Sequence, residues 1–132
     1  MISIGFTHVW MRAKSISWRL RHPMVTSGHI LCGFLSVDQR RINRLWRDCP
    51  LSAKDVWNYL KENPAPNEPT LEYYETMVGI SGQNIIDRAT SLARGSPGEI
   101  ELYEALRVET SSLIDQIRAH SGKKSSDETK TA

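Results

Sequence analysis

His22, His29, Cys32 and Cys49, all in the first half, are the residues whose types best suit chemistry. His29 and Cys32 stand three apart, a spacing that sets two zinc ligands on one helical face, with His22 and Cys49 near in sequence. A structural zinc site needs four ligands, and no second Cys/His pair completes the set. His29 therefore reads as a histidine at a helix start and Cys32 as a small buried thiol. A nucleophilic cysteine needs an exposed, electropositive setting, whereas Cys32 lies in the most apolar run of the chain. The acids Glu99, Glu101, Glu104 and Glu109 offer general acid or base groups, and 101 and 104 share a helix face, but such a run is most simply a solvated surface. No Gly-x-x-x-x-Gly-Lys-Ser/Thr stretch is present to cradle a nucleotide's phosphates. No catalytic, cofactor-binding or metal-binding residue is expected.

What remains is recognition. Arg40, Arg41, Arg44 and Arg47 crowd eight positions; they read as a solvated face that also suits an acidic protein surface. Nucleic-acid phosphates are the weaker match, because the segment after Pro23, where a helix-turn-helix reader places its basic recognition helix, is apolar. Of four tryptophans, Trp10, Trp46 and Trp57 fall in inward stripes, while Trp18 lies off the stripe of its helix. An off-stripe tryptophan is the best single anchor for a protein partner.

Positioning such residues falls to helices. The centre is Val25-Thr-Ser-Gly-His-Ile-Leu-Cys-Gly-Phe-Leu35, in which Ser27 is the expected cap and Ile30, Leu31, Phe34 and Leu35 recur at helical spacing. It is too apolar for a surface and is expected at the middle of a bundle. Before it, residues 3–21 carry Phe6, Val9, Trp10, Ala13, Ile16, Ser17 and Leu20 on one stripe, with Ser3 as the cap, until His22-Pro23 ends the helix. A third helix opens at Asp38 with Ile42, Leu45 and Trp46 inward and stops at Cys49-Pro50. Ser52 and Asp55 start a fourth, burying Val56, Trp57 and Leu60. Residues 63–69 hold three prolines, a stiff connector. Thr70 is expected to cap a short turn through Leu71, Tyr73, Tyr74 and Met77 that Gly79 to Gly82 interrupts. From about Gln83, Ile85, Ile86, Ala89, Leu92 and Ala93 make another stripe. Ser96-Pro97-Gly98-Glu99 then predicts a cap at Ser96, a first turn at Pro97 and Ile100, Leu102, Tyr103 and Leu106 facing inward. Leu113, Ile114 and Ile117 mark a last helix to about His120, and residues 121–132 read as a solvated, disordered tail.

The chain has 132 residues, 39% hydrophobic and 24% charged, which fits one globular domain over residues 1–120 and argues against general disorder. No apolar run approaches the ~18 residues of a bilayer span, and no signal-peptide pattern opens the chain, so no membrane association and a cytoplasmic location are expected. Residues 1–37 contain no acid, a bias shared with organelle transit peptides, but their apolar positions are those a folded helix needs. The net charge of +2 conceals an asymmetry: ten Lys/Arg against four Asp/Glu over residues 1–63, and seven against eleven thereafter.

The two halves share an order of elements: a long helix, a tight turn, a short apolar helix, then another amphipathic one. With Val9, Trp10, Ala13 and Ser17 before Ser27-Gly28-His29-Ile30-Leu31-Cys32-Gly33-Phe34-Leu35, and Ile85, Ile86, Ala89 and Ala93 before Glu99 to Leu106, the chain resembles the Clp N-terminal repeat domain of Clp/Hsp100 unfoldases. The resemblance covers roughly residues 2–119 and implies an all-α bundle with a pseudo-two-fold axis and about seven helices. Repeat one would span about 2–62, the connector 63–69, and repeat two about 70–119. It also implies a non-enzymatic interaction domain serving as adaptor, chaperone or accessory factor in proteolysis, whose partner is a Clp ATPase, protease subunit or client polypeptide. In some members the acid of a Thr-Glu-His segment helps to read phosphorylated arginine. That place is Gly28 here, and its match in repeat two is Ile100 with Glu99 beside it, which leaves phosphoarginine recognition open. The candidate partner-binding residues are thus Trp18, Gly28, Arg40, Arg41, Arg44 and Glu99.

Overall fold

A computed structural model describes residues 5–37, 40, 44–47, 51–63, 68–73, 76–94 and 97–120. In order these form α1 (Phe6–Arg19), α2 (Ser27–Val37), α3 (Ala53–Glu62), strands β1 (Thr70–Tyr73) and β2 (Thr76–Gly79), α4 (Ile80–Ala93) and α5 (Glu99–Glu109). A further helix, α6, covers residues 111–120. The protein is therefore mostly helical with one small sheet. The expectations for Ser3, Asp38, Arg41, Ile42, Cys49, Ser96 and the tail lie outside the described residues.

As its composition requires, α2 is the centre: every residue from Gly28 to Leu35 is buried, and the helix packs against α1, α3 and α4. The approach to α1 is close because position 33 has no side chain. A Cβ there would stand 2.9 Å from the Val9 carbonyl oxygen and 3.1 Å from the Ala13 amide. α1 contributes the expected stripe of Val9, Trp10, Ala13, Ile16 and Ser17. Val56 and Leu60 of α3 are buried, and Ile85, Leu102, Leu106 and Ile117 complete the same core.

α1 ends on a backbone motif. The Arg21 amide donates to the Trp18 carbonyl at 3.0 Å and the His22 amide to the Ser17 carbonyl at 2.9 Å, the paired bonds of a Schellman turn. Arg21 takes the left-handed φ of 59° that the motif requires and that glycine supplies without strain. α3 starts as its sequence predicts: the Asp55 amide donates to Ser52 Oγ at 3.2 Å and the Ser52 amide to Asp55 Oδ2 at 2.9 Å, a capping box.

Four local expectations are overturned. Residues 70–79 form an antiparallel hairpin, with Thr70 opposite Gly79 and Tyr73 opposite Thr76, so the fold is not purely α-helical. β-branched and aromatic residues there favour a pleated backbone. α4 then begins at Ile80, with Gly79 at its N-cap and Gly82 inside its first turn, where a Cβ would meet the Val25 carbonyl at 3.0 Å. α5 begins at Glu99 behind Gly98, not at Pro97, because the Pro97 carbonyl is engaged by the Phe6 amide at 3.2 Å. Its buried stripe is Leu102, Ala105 and Leu106. Ile100 is 60% exposed, as is Leu92 at 54%, both expected inside; each lies on the side of its helix away from the core.

Trp10 and Trp46 are buried, while Trp57 is only partly so. Trp46, ahead of α3, meets Tyr103 of α5 edge-on at 5.3 Å, and the Arg107 guanidinium lies over the Tyr103 ring at 5.4 Å from its centroid.

Candidate functional site

α1 has a second face. Met11, Lys14, Ser15 and Trp18 follow helical spacing on the side opposite the core stripe, and they form one wall of a surface groove of about 530 Å³. The other wall is the segment from His22 to Val25 together with Thr76 and Met77 of β2. Trp18 is 82% exposed, Met11 58% and Met77 46%, so the groove presents large apolar side chains to water.

Its shape depends on the turn after α1. Reversed by Arg21, the chain runs back along the helix, where Ser17 Oγ donates to the Met24 carbonyl at 3.0 Å. Val25 then joins the sheet: its amide donates to the Met77 carbonyl at 3.0 Å and its carbonyl accepts from the Gly79 amide at 2.9 Å. The hairpin is thereby held beside α1, and Met77 is delivered to the groove.

Behind the groove lies a histidine pair. His29, fully buried, accepts from the Thr26 amide through Nδ1 at 2.8 Å. It reaches back to the residue before the helix as Glu or Gln does in a capping box. Thr26, not Ser27, is thus the residue ahead of α2; the Ser27 amide instead donates to Ser81 Oγ at 3.1 Å. With Nδ1 accepting, the His29 proton resides on Nε2, which faces His22 Nδ1 at 2.8 Å and donates to it. Burial, followed by repulsion from His22, pushes the His29 pKa down to about 3; burial also lowers that of His22. The pair is neutral and fixes the turn from which the groove is built. Cys32, one turn further along α2, takes no part in the pair. Burial raises its thiol to about 12, and Sγ donates to the Ala53 carbonyl at 3.5 Å, so it stays protonated. Among the described residues, no three His, Cys, Asp or Glu side chains are grouped to hold a metal ion.

The sequence-derived candidates do not converge. Trp18 lines the α1 groove. Gly28 lines a separate cleft of about 320 Å³ with Tyr59, Leu60, Asn63, Glu68 and Ser81. A Cβ at position 28 would come within 2.7 Å of Leu60 Cδ2, so the glutamate of the Thr-Glu-His pattern could enter only by displacing Leu60. In that cleft the Glu68 carboxylate accepts from the Ser81 amide at 3.1 Å and Ser81 Oγ at 2.7 Å, covering the start of α4. Arg40 and Arg44 are exposed, with Arg44 Nε donating to the Arg40 carbonyl at 3.5 Å; Arg41 is outside the described residues. Glu99 opens α5. Arg40, Arg44 and Glu99 line neither cavity. Of the acids of the second half, Glu109 is paired with Arg88 at 2.7 Å, and Glu104 is exposed.

Met11, Lys14 and Met77 are site residues that the sequence reading does not single out. The first two are legible as a second stripe leading to Trp18, whereas Met77 requires the strand. No family model matches this chain, and no curated protein does. The class defined by fold and site together is a mostly helical protein with a small hairpin and an apolar surface groove. Among the described residues, no helix is long and apolar enough to cross a membrane.

Proposed function

We propose that this protein is a non-enzymatic interaction module of the Clp N-terminal type, an adaptor or accessory factor that binds a partner or client of a Clp-type ATP-dependent unfoldase. The observation that carries the reading is the groove on the outer face of α1, where Trp18, Met11 and Met77 stand exposed around a cavity large enough for a few side chains. The reading draws on the order of elements: a longer helix followed by a shorter one, α1 then α2 in the first half and α4 then α5 in the second. In this reading α1 supplies the docking face, and the histidine pair and Val25 hold its second wall in place.

The test is capture on the immobilised chain followed by mass spectrometry, with Trp18→Ala in parallel. Because Trp18 is largely in solvent, its replacement leaves the core unchanged. Enrichment of a Clp ATPase, its protease subunit or an unfolding client by the wild-type chain, reduced about tenfold or more by Trp18→Ala, is the expected result. Absence of all three from the enriched set overturns the proposal.

A further inference from the structure

We infer that the α1 groove selects protein segments in which apolar side chains are flanked by carboxylates. The inference rests on the groove being the docking site, and it adds the chemistry of what docks. Lys14 is the one charged side chain among the groove's described lining residues; His22, the other titratable group there, is held neutral by its surroundings. Ser15 also lines an adjoining groove of about 270 Å³, whose charged lining is Arg12, Arg19 and Lys54. The two grooves therefore share a ridge at Ser15, and four cations line them between them, with no acid among the described lining residues of either groove.

These cations are not used internally. None of Arg12, Lys14, Arg19 or Lys54 makes a salt bridge among the described residues. Among the described residues, Glu72 opposite Met77 in the sheet register does not line the groove, and Glu68 is committed to Ser81. A ligand that buries its apolar side chains against Trp18, Met11 and Met77 brings its flanking residues over this positive border, where carboxylates gain and ammonium groups lose. The methionines that line the groove with the tryptophan let it adapt to different apolar side chains, so the charge pattern discriminates more than the exact apolar residue.

Fluorescein-labelled peptides sharing one Leu-Phe-Leu core, flanked by Glu, by Ser or by Lys, are titrated against the full chain and followed by fluorescence anisotropy. The Glu-flanked peptide is expected to bind about fivefold more tightly than the Ser-flanked one, the combined effect of a few exposed charge pairs, and the Lys-flanked peptide most weakly. High salt should compress the series, Lys14→Glu should narrow or reverse it, and Trp18→Ala should weaken all three about tenfold while leaving the thermal unfolding curve in place. Equal affinities for the three peptides, or an order unmoved by salt and by Lys14→Glu, overturn the inference. Tighter binding of a single-stranded oligonucleotide in the same assay also overturns it, since the cations would then serve phosphates. If partner capture still depends on Trp18 while the peptides show no charge preference, only the selectivity fails; if capture and peptide binding are both absent, the docking reading itself has failed.

Discussion

Replacing His29 by glutamine should remove about 2 kcal/mol of the stability that this fold loses on acidification. In the folded chain the pKa of His29 lies at about 3, against 6.5 for the free side chain. Between those values the unfolded chain holds a proton that the folded one refuses, so stability is complete above pH ~6.5 and falls as the pH is lowered. Each tenfold difference in proton affinity between the two states corresponds to about 1.4 kcal/mol. Integrated from about pH 7.5 to about pH 5, the loss from this one residue is about 2 kcal/mol, a sizeable part of an ordinary domain's stability. His22, whose pKa is also lowered, adds to the loss in the same direction. Glutamine at position 29 can still accept from the Thr26 amide and donate toward His22, yet it cannot titrate; at neutral pH the exchange should cost about 1 kcal/mol for its different shape. Urea unfolding of both proteins at the two pH values is the assay. The wild type should lose about 2 kcal/mol more than His29→Gln on acidification. Equal losses would show that His29 gains its proton in the folded state as easily as in the unfolded one, and the account of the buried pair would fail.

Two further outcomes follow from the backbone. Gly33→Ala places a methyl group 2.9 Å from the Val9 carbonyl and should destabilise the chain by about 1–3 kcal/mol in urea unfolding, whereas Gly5→Ala, with nothing within 4 Å, should be near neutral. Arg21→Gly and Arg94→Gly, at φ of 59° and 53°, should each raise the thermal midpoint through a gain of about 1 kcal/mol; unchanged or lower midpoints would contradict the left-handed geometry at both helix ends.

Much of the helical framework is legible in the sequence because it is local. The run from Ile30 to Leu35 has no residue that tolerates water well, and Ser52 and Asp55 form a cap from contacts three residues apart. The hairpin is not legible. Leu71, Tyr74 and Met77 satisfy helical spacing while Leu71, Tyr73 and Val78 suit strands, and a segment this short does not separate the two periods. What decides for strands is a long-range bond, Val25 to Met77. The start of α5 has the same cause, since the Ser-Pro-Gly-Glu signal is outweighed by the Phe6 amide claiming the Pro97 carbonyl. Leu92 and Ile100 show that apolar type does not by itself assign a face. At the groove, Trp18 is visible as the tryptophan that its own helix does not bury, but its opposite wall comes from a different part of the chain.

Val25 reaches across the proline connector in sequence with both of its peptide groups, bonding to Met77 and Gly79. A cut within residues 63–69 that released the second half would strip those bonds away and uncover the flank of α2 that rests on α4. The leading sixty residues are then not a detachable helical hairpin: they need the trailing half to finish the hydrogen bonding at the turn between their first two helices. This seam makes the two halves of the chain answerable to each other, and a lesion in either should loosen the groove beside Trp18.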